Sequence, residues 1–207
     1  MQLLEKYFDG FTEKQRKQFS DLKQLYEDWN QKINVISRKD MDHFYEHHVL
    51  HSLAIAAVFD FPEGLQIMDL GCGGGFPGIP LAIFFPKVHF HMVDSINKKL
   101  KVVEAVANEI GLENITVQHT RAEDIHDRKF DLVITRAVAP LKDLWRWSKP
   151  LLKKSNQRTG KNLPQLICLK GGDLSKEIHE SGLRPKVWEI SEIFEEDFFK
   201  EKYILSI

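Results

Sequence analysis

The sequence is poor in cysteine, in long apolar runs and in net charge. Its two cysteines, Cys72 and Cys168, stand far apart and form no Cys-x-x-Cys pair. That argues against a disulfide framework and a zinc site, and fits a reducing cytoplasm. No stretch reaches the ~18 apolar residues of a membrane helix. The opening "MQLLEKYFDGF" carries two acids and no signal-peptide core. A cytoplasmic protein with no membrane partner is therefore expected. Twenty-nine Lys/Arg balance 30 Asp/Glu to a net charge of −1. Bulk charge thus draws the chain to no nucleic acid, and such a partner must be met by a local patch. No internal repeat is visible. What is present is 207 residues, 43% hydrophobic and 29% charged, enough for one large domain or one with a small appendage.

Residues 12–30 carry Phe19, Leu22, Tyr26 and Trp29 at helical spacing, and Thr12 with Gln15 fits a capping box. Residues 40–60 read as a second helix, with Phe44, His48, Leu53 and Phe59 among the candidates for its buried face, until "FPEG" (61–64) breaks the pattern. From Leu65 short apolar runs alternate with helical stretches. Strands are expected at 65–71, 89–94, 115–120, 130–137, 164–171, 186–191 and 202–207, and helices at 77–85, 96–110, 140–152 and 173–182. This alternation predicts an α/β, Rossmann-like fold: an open parallel sheet of seven strands with helices on both faces. The last two strands lack a long helix between them, so one is expected to be antiparallel. The expected division is a helical extension over 1–64 and a cofactor-binding domain over 65–207.

"MDLGCGGGFPG" (68–78) places five glycines within eight positions between two apolar runs. A glycine-rich turn between strand and helix lets a nucleotide-like cofactor approach the backbone. Two registers fit. Gly73, Gly75 and Gly78 match the dinucleotide pattern GxGxxG. Asp69 followed by Gly71, Gly73 and Gly75 matches the pattern of S-adenosylmethionine (SAM) sites. A pyrophosphate needs amides at a helix N-terminus, whereas SAM carries an ammonium and a sulfonium. Asp69 therefore favours SAM, although an Asp here also caps turns, and Pro77 and Pro80 remove amide donors. Asp94 ends the second strand and suits the two ribose hydroxyls of either cofactor. In "TRAEDI" (120–125), Glu123 or Asp124 is placed to face an adenine amino group.

"DLGCGGGFPGIPLAI", "DSINKKLKVVEAV", "RAEDI", "ITRAVAPL" and "LKGG", with "WNQKINVIS" and "HHVLHSL" before them, resemble the RsmG (GidB) family over roughly residues 25–172. The resemblance implies a class I SAM-dependent methyltransferase fold and methylation at N7 of a guanine in 16S rRNA, guanine 527, of the small ribosomal subunit. It implies that Gly71, Phe76, Ala122, Glu123 and Arg136 contact SAM. The chain departs from the family's Arg-His-x-x-Asp-Ser pattern at His47, His48, His51 and Ser52, and has Cys72 where threonine is frequent.

Guanine N7 carries a lone pair and no proton, so its methylation requires positioning and not a general base. The sequence agrees: it lacks an Asn/Asp-Pro-Pro-aromatic motif and a Pro-Cys nucleophile, and Cys168 falls inside an expected core strand. Arg136, closing the fourth strand, is the candidate for positioning, with pairing to Asp131 or Glu123 as the structural alternative. For RNA, residues 144–172 hold Arg146, Lys149, Lys153, Lys154, Arg158, Lys161 and Lys170 with no acid. Trp145 and Trp147 lie among them, suited to stacking on bases or to the core. Lys98, Lys99 and Lys101 form a second cluster, and Arg121 a further candidate contact. His43, His47, His48 and His51 have metal-compatible spacing, but no metal is expected, and cleft lining or backbone hydrogen bonding fits them better. The alternatives are a small-molecule SAM methyltransferase, which would lack the basic loop, and a non-catalytic NAD- or nucleotide-binding module. A monomer is expected. The acidic, aromatic segment 192–201 has no assigned role.

Overall fold

The computed structural model describes residues 1–136, 138–160 and 162–207, with the backbone alone at Ser155. Lys161, one of the expected basic-loop residues, lies outside the described residues.

The N-terminal segment forms α1 (Gln2–Glu5), α2 (Glu13–Asn30), α3 (Arg38–Asp42) and α4 (His51–Val58). Thr12 caps α2 with the full reciprocal bonding to Gln15, as its sequence predicts. The helix expected over 40–60 is not continuous. α3 ends where His43 leaves helical geometry, and a π-helical turn, Tyr45–Leu50, precedes α4. Two carbonyls of this wide turn are taken by side chains: that of His47 by Arg136 and that of His48 by Ser52. Such turns recur at functional sites.

The strands are β1 (Gln66–Leu70), β2 (His89–Asp94), β3 (Ile115–His119), β4 (Leu132–Arg136), β5 (Leu166–Gly171), β6 (Lys186–Glu189) and β7 (Lys202–Ser206). Helices α5 (Gly78–Phe84), α6 (Asn97–Glu109), α7 (Leu141–Ser148) and α8 (Ser175–Ser181) connect them. They form one seven-stranded sheet, ordered β3-β2-β1-β4-β5-β7-β6. β1 to β5 are parallel, and β7 runs antiparallel to both neighbours. This is the expected α/β arrangement with one antiparallel strand. The strand order reverses between β1 and β4, and ligands of such sheets bind beyond the carboxyl ends of the strands at that reversal.

Two hydrophobic clusters cover the sheet. One joins Leu4, Phe19, Leu22, Tyr26, Phe44 and Leu53 of the N-terminal segment to Ile67, Phe76, Ile79, Phe90, Leu100 and Ile134. The other packs Leu141 and Leu144 of α7 against Met68, Val133, Leu166 and Cys168 on the opposite face. Cys168 is fully buried, as its strand position predicts. The apolar core is thus continuous from the N-terminal helices into the sheet, so the glycine loop is held from both sides.

Candidate SAM and RNA site

β1 delivers Asp69 and Leu70 to the reversal point, and the glycine loop begins at Gly71. Gly71 takes φ +66°, and a Cβ there would stand 2.6 Å from a methyl carbon of Val138. Only glycine combines that backbone with that approach. At the loop's end Gly78 opens α5. A Cβ on it would fall 2.4 Å from Met92 and 2.7 Å from the Asp69 carboxylate.

That closeness has a purpose in the Asp69 geometry. Oδ2 of Asp69 accepts the Gly78 amide at 2.8 Å, while Oδ1 is buried without a partner. Burial raises the Asp69 carboxyl to about 7, against the opposing effects of the Gly78 amide and Arg136. Asp69 therefore caps the helix and also retains an unused acceptor. The same contact disfavours the dinucleotide register, since the first amide of α5 is already taken by a carboxylate, which opposes a pyrophosphate there.

Asp94 ends β2, with Oδ2 accepting the Gly73 amide at 2.9 Å and Oδ1 accepting the Ile96 amide at 2.8 Å. Its carboxylate braces the loop and keeps lone pairs for further donors. The adjoining cavity, about 290 Å³, is lined by Leu70, Asp94, Arg121, Ala122, Glu123 and Trp147. A second one, about 370 Å³, shares Gly71, Asp94, Ser95 and Val138 with it and continues to Gly73, Phe76, Lys99 and Arg136. The two form one elongated cleft over the carboxyl ends of β1, β2 and β4. Asp94, Ala122, Glu123, Gly71, Gly73, Phe76 and Arg136 thus converge on it, and Gly75 lies in the same loop. Asp124 is exposed and does not line it.

Arg136 lies over the ring of Phe76, 5.1 Å from its centroid, donating to the His47 carbonyl at 3.3 Å and to Nδ1 of His48 at 3.1 Å. Burial lowers its guanidinium to about 10, with Asp69 opposing the shift. The alternative partner Asp131 sits at the start of β4, about 16 Å along the strand from Arg136.

The basic residues divide by position. Lys99 lines the cleft, Lys98 is exposed beside it, and Arg121 lines the half that holds Ala122 and Glu123. Lys153 instead meets the fully buried Asp131 at 2.8 Å, and Arg158 donates to the carbonyls of Asp131, Leu163 and Pro164. Both lie at the opposite end of the sheet, and Lys154 is adjacent to them in sequence. Lys170 is buried, bonded to Glu177 at 2.7 Å and to the Ala139 carbonyl. The structure therefore does not bring Lys153, Lys154, Arg158 and Lys170 to the cleft.

Of the four histidines, His47 and His48 meet Arg136 directly. His51 is buried and His48 half-buried, and the Nε2 atom of each is buried without a partner among the described residues. His47 stacks on Phe198, with centroids 3.8 Å apart, and its Nδ1 lies 3.0 Å from Asp40. Ligand atoms of His43, Glu46 and His47 lie within 4.8 Å of one another. Segment 192–201 acquires a place: Phe198 covers His47, and Glu196 accepts from Lys6 and Tyr7. Sequence reasoning missed Val35, Ser95, Thr120 and Val138 as cleft residues. It found Trp147 without its place, because no local pattern separates a core tryptophan from one at a cleft. Among the described residues no helix is long and apolar enough to cross a membrane.

A SAM-dependent methyltransferase from Aquifex aeolicus shares the fold, with a TM-score of 0.54 at 16% identity, over 82% of this chain and 97% of that one. The ribosomal RNA small subunit methyltransferase G of Phocaeicola vulgatus is 53% identical over all of this chain and 98% of its own length. The protein of that name from Bacteroides thetaiotaomicron is 53% identical over 99% and 98%. The sequence model of the family described as GidB, rRNA small subunit methyltransferase G, matches residues 15–200, and the chain belongs to that family.

Proposed function

We propose that the protein is a SAM-dependent methyltransferase acting at N7 of a guanine in 16S rRNA of the small ribosomal subunit. The observation that carries the cofactor reading is the carboxylate of Asp94, which lines both halves of a cleft running from Ala122 and Glu123 to Arg136. A ligand with a zwitterionic amino acid at one end and a nucleoside at the other fits this cleft, the amino acid lying at the end where Arg136 and Asp69 act on each other. Gly71, Gly73, Gly75 and Phe76 would hold its middle, Asp94 its ribose, and Ala122 and Glu123 its base. When bound, SAM supplies an electrophilic methyl group on sulfur.

The chain's own task is positioning, because a nitrogen with a free lone pair and no proton needs no base. Ile96 and Val138 are 40% and 43% exposed and both border the Arg136 end of the cleft. They offer apolar surface to an incoming purine face. Lys98, Lys99 and Arg121 supply positive charge beside it for RNA phosphates. Lys153, Arg158 and Lys170, held in internal contacts, serve the fold in this reading, while Lys154 remains free for outlying phosphate contact.

Labelled methyl transfer from SAM to purified small ribosomal subunits from a strain lacking this gene tests the proposal. Transfer to RNA of the small subunit, and not to large subunits or free nucleosides, is expected. Transfer to a small molecule alone would replace it.

A further inference from the structure

The hydrogen bonds of Arg136 go to neutral groups, and Asp69 acts on it only through its charge. Its Nη1 donates to the His47 carbonyl at 3.3 Å and its Nη2 reaches Nδ1 of His48 at 3.1 Å. A guanidinium has donors only. Nδ1 of His48 must therefore be a bare acceptor, which puts the imidazole hydrogen on Nε2. That Nε2 is buried and has no partner. Leaving a buried N–H unpaired is costly, so the site tolerates a penalty that keeps Nδ1 turned to Arg136. Phe44 and Phe76 flank the His48 ring, with centroids 6.1 and 5.1 Å away, and the π-helical turn carries both the ring and the His47 carbonyl. Burial, then the charge of Arg136, lowers His48 to about 3, so the ring stays neutral at physiological pH. Asp40 and His47 are the other charged or titratable groups that bear on it.

The chemical consequence concerns charge. A carboxylate at position 48 would fix the guanidinium equally well but would neutralise it. A neutral acceptor fixes the fork and leaves its positive charge, with the remaining N–H donors, to the cleft that Arg136 lines with Gly71, Gly73, Gly74 and Phe76. We propose that His48 is a positioning residue that holds Arg136 without a direct ion pair, so that the guanidinium receives the carboxylate of the cofactor's amino acid portion. The assignment rests on reading the cleft as a SAM site.

Two probes in calorimetry separate the possibilities: S-adenosylhomocysteine, which has the carboxylate, and 5′-methylthioadenosine, which keeps the nucleoside and thioether without the amino acid. His48→Ala is expected to weaken S-adenosylhomocysteine by about tenfold or more, the value of a hydrogen bond to a charged group, and to leave 5′-methylthioadenosine unchanged. His48→Asn keeps an acceptor at the Nδ1 position and should restore most of the loss, whereas His48→Gln, with its acceptor one bond further out, should not. His48→Asp should weaken S-adenosylhomocysteine alone, through neutralisation of Arg136. Binding of 5′-methylthioadenosine reports an intact cleft in every variant.

Equal losses for both probes would assign His48 a merely structural role and overturn the proposal. So would undiminished S-adenosylhomocysteine binding by His48→Ala and His48→Asp. Failure of the unaltered protein to bind either probe would instead remove the SAM reading beneath it.

Discussion

The hydroxyl of Tyr26 donates a 2.6 Å hydrogen bond to the carbonyl oxygen of Gly74, so α2 reaches directly into the glycine loop. The Tyr26 ring also packs on Phe44 and Phe76, at 5.3 and 5.0 Å between centroids. Both ends of the bond are buried. Tyr26→Phe leaves the Gly74 carbonyl without this donor and should cost about 1–2 kcal/mol of stability, with SAM affinity reduced in parallel because the loop loses its brace. Denaturant midpoints and calorimetry on the same variant check this. An unchanged midpoint would show that the bond contributes nothing to holding the loop.

Gly78→Ala tests the close approach at the start of α5. The new methyl group would collide with Met92 and the Asp69 carboxylate, so one of them must shift, and the bond from the Gly78 amide to Asp69 is strained. Binding of SAM should be lost in calorimetry. Gly10→Ala is a control, since a Cβ there meets nothing within 4 Å although its φ of +77° adds local strain. It should retain SAM binding.

A cofactor cation beside Asp69 should make binding pH-dependent. Its folded-state value is raised from 3.8 to about 7. A raised carboxyl stabilises the ligand-free fold below the unfolded value and withdraws that stability as pH rises through 7. A cationic ligand beside Oδ1 reverses the preference and favours the carboxylate. Binding at pH 6 should therefore release a proton, and affinity should climb with pH until about 7 and then level. Calorimetry at pH 6 in two buffers of different ionisation enthalpy measures the proton count. Zero release would contradict a cation at Asp69.

The basic residues should separate into two behaviours. Lys153→Ala leaves the buried Asp131 carboxylate, among the described residues, with the amides of Gln66 and Thr159 alone and should cost on the order of 3 kcal/mol of stability. Lys98→Ser and Arg121→Ser, both at exposed positions, should leave stability within about 0.5 kcal/mol. Each should weaken RNA binding and lower its salt slope by about one. Thermal melts and RNA titrations at several salt concentrations distinguish the two groups. A Lys153 variant of unchanged stability but flatter salt dependence would return that residue to the RNA surface.

The contrast among these lysines shows what the sequence could reveal. The strands, the capping box at Thr12 and Gln15, and the loop from Asp69 to Gly78 were legible because each rests on local spacing and backbone chemistry. An acid-free run of Lys and Arg gives no such guidance, since its residues reach different ends of the sheet. Asp131, far from Lys153 in sequence and buried at the foot of β4, draws Lys153 and the backbone beside Arg158 into the fold. The π-helical turn at Tyr45–Leu50 was not legible either: over six residues its apolar spacing matches that of an α-helix, and the contact of its His47 carbonyl with Arg136 is tertiary. Val138 and Trp147 meet the glycine loop and the cleft only through packing, which no periodicity records.

Mapping the methylated nucleotide tests the central claim most directly. Small subunits from a strain lacking this gene would be incubated with the protein and SAM, and their RNA then reduced and cleaved with aniline, which cuts at N7-methylguanine. One new cut in 16S rRNA, absent when Arg136→Ala replaces the protein, is the expected result. Methyl incorporation without a cut, or no incorporation despite tight SAM binding, would contradict methylation at guanine N7.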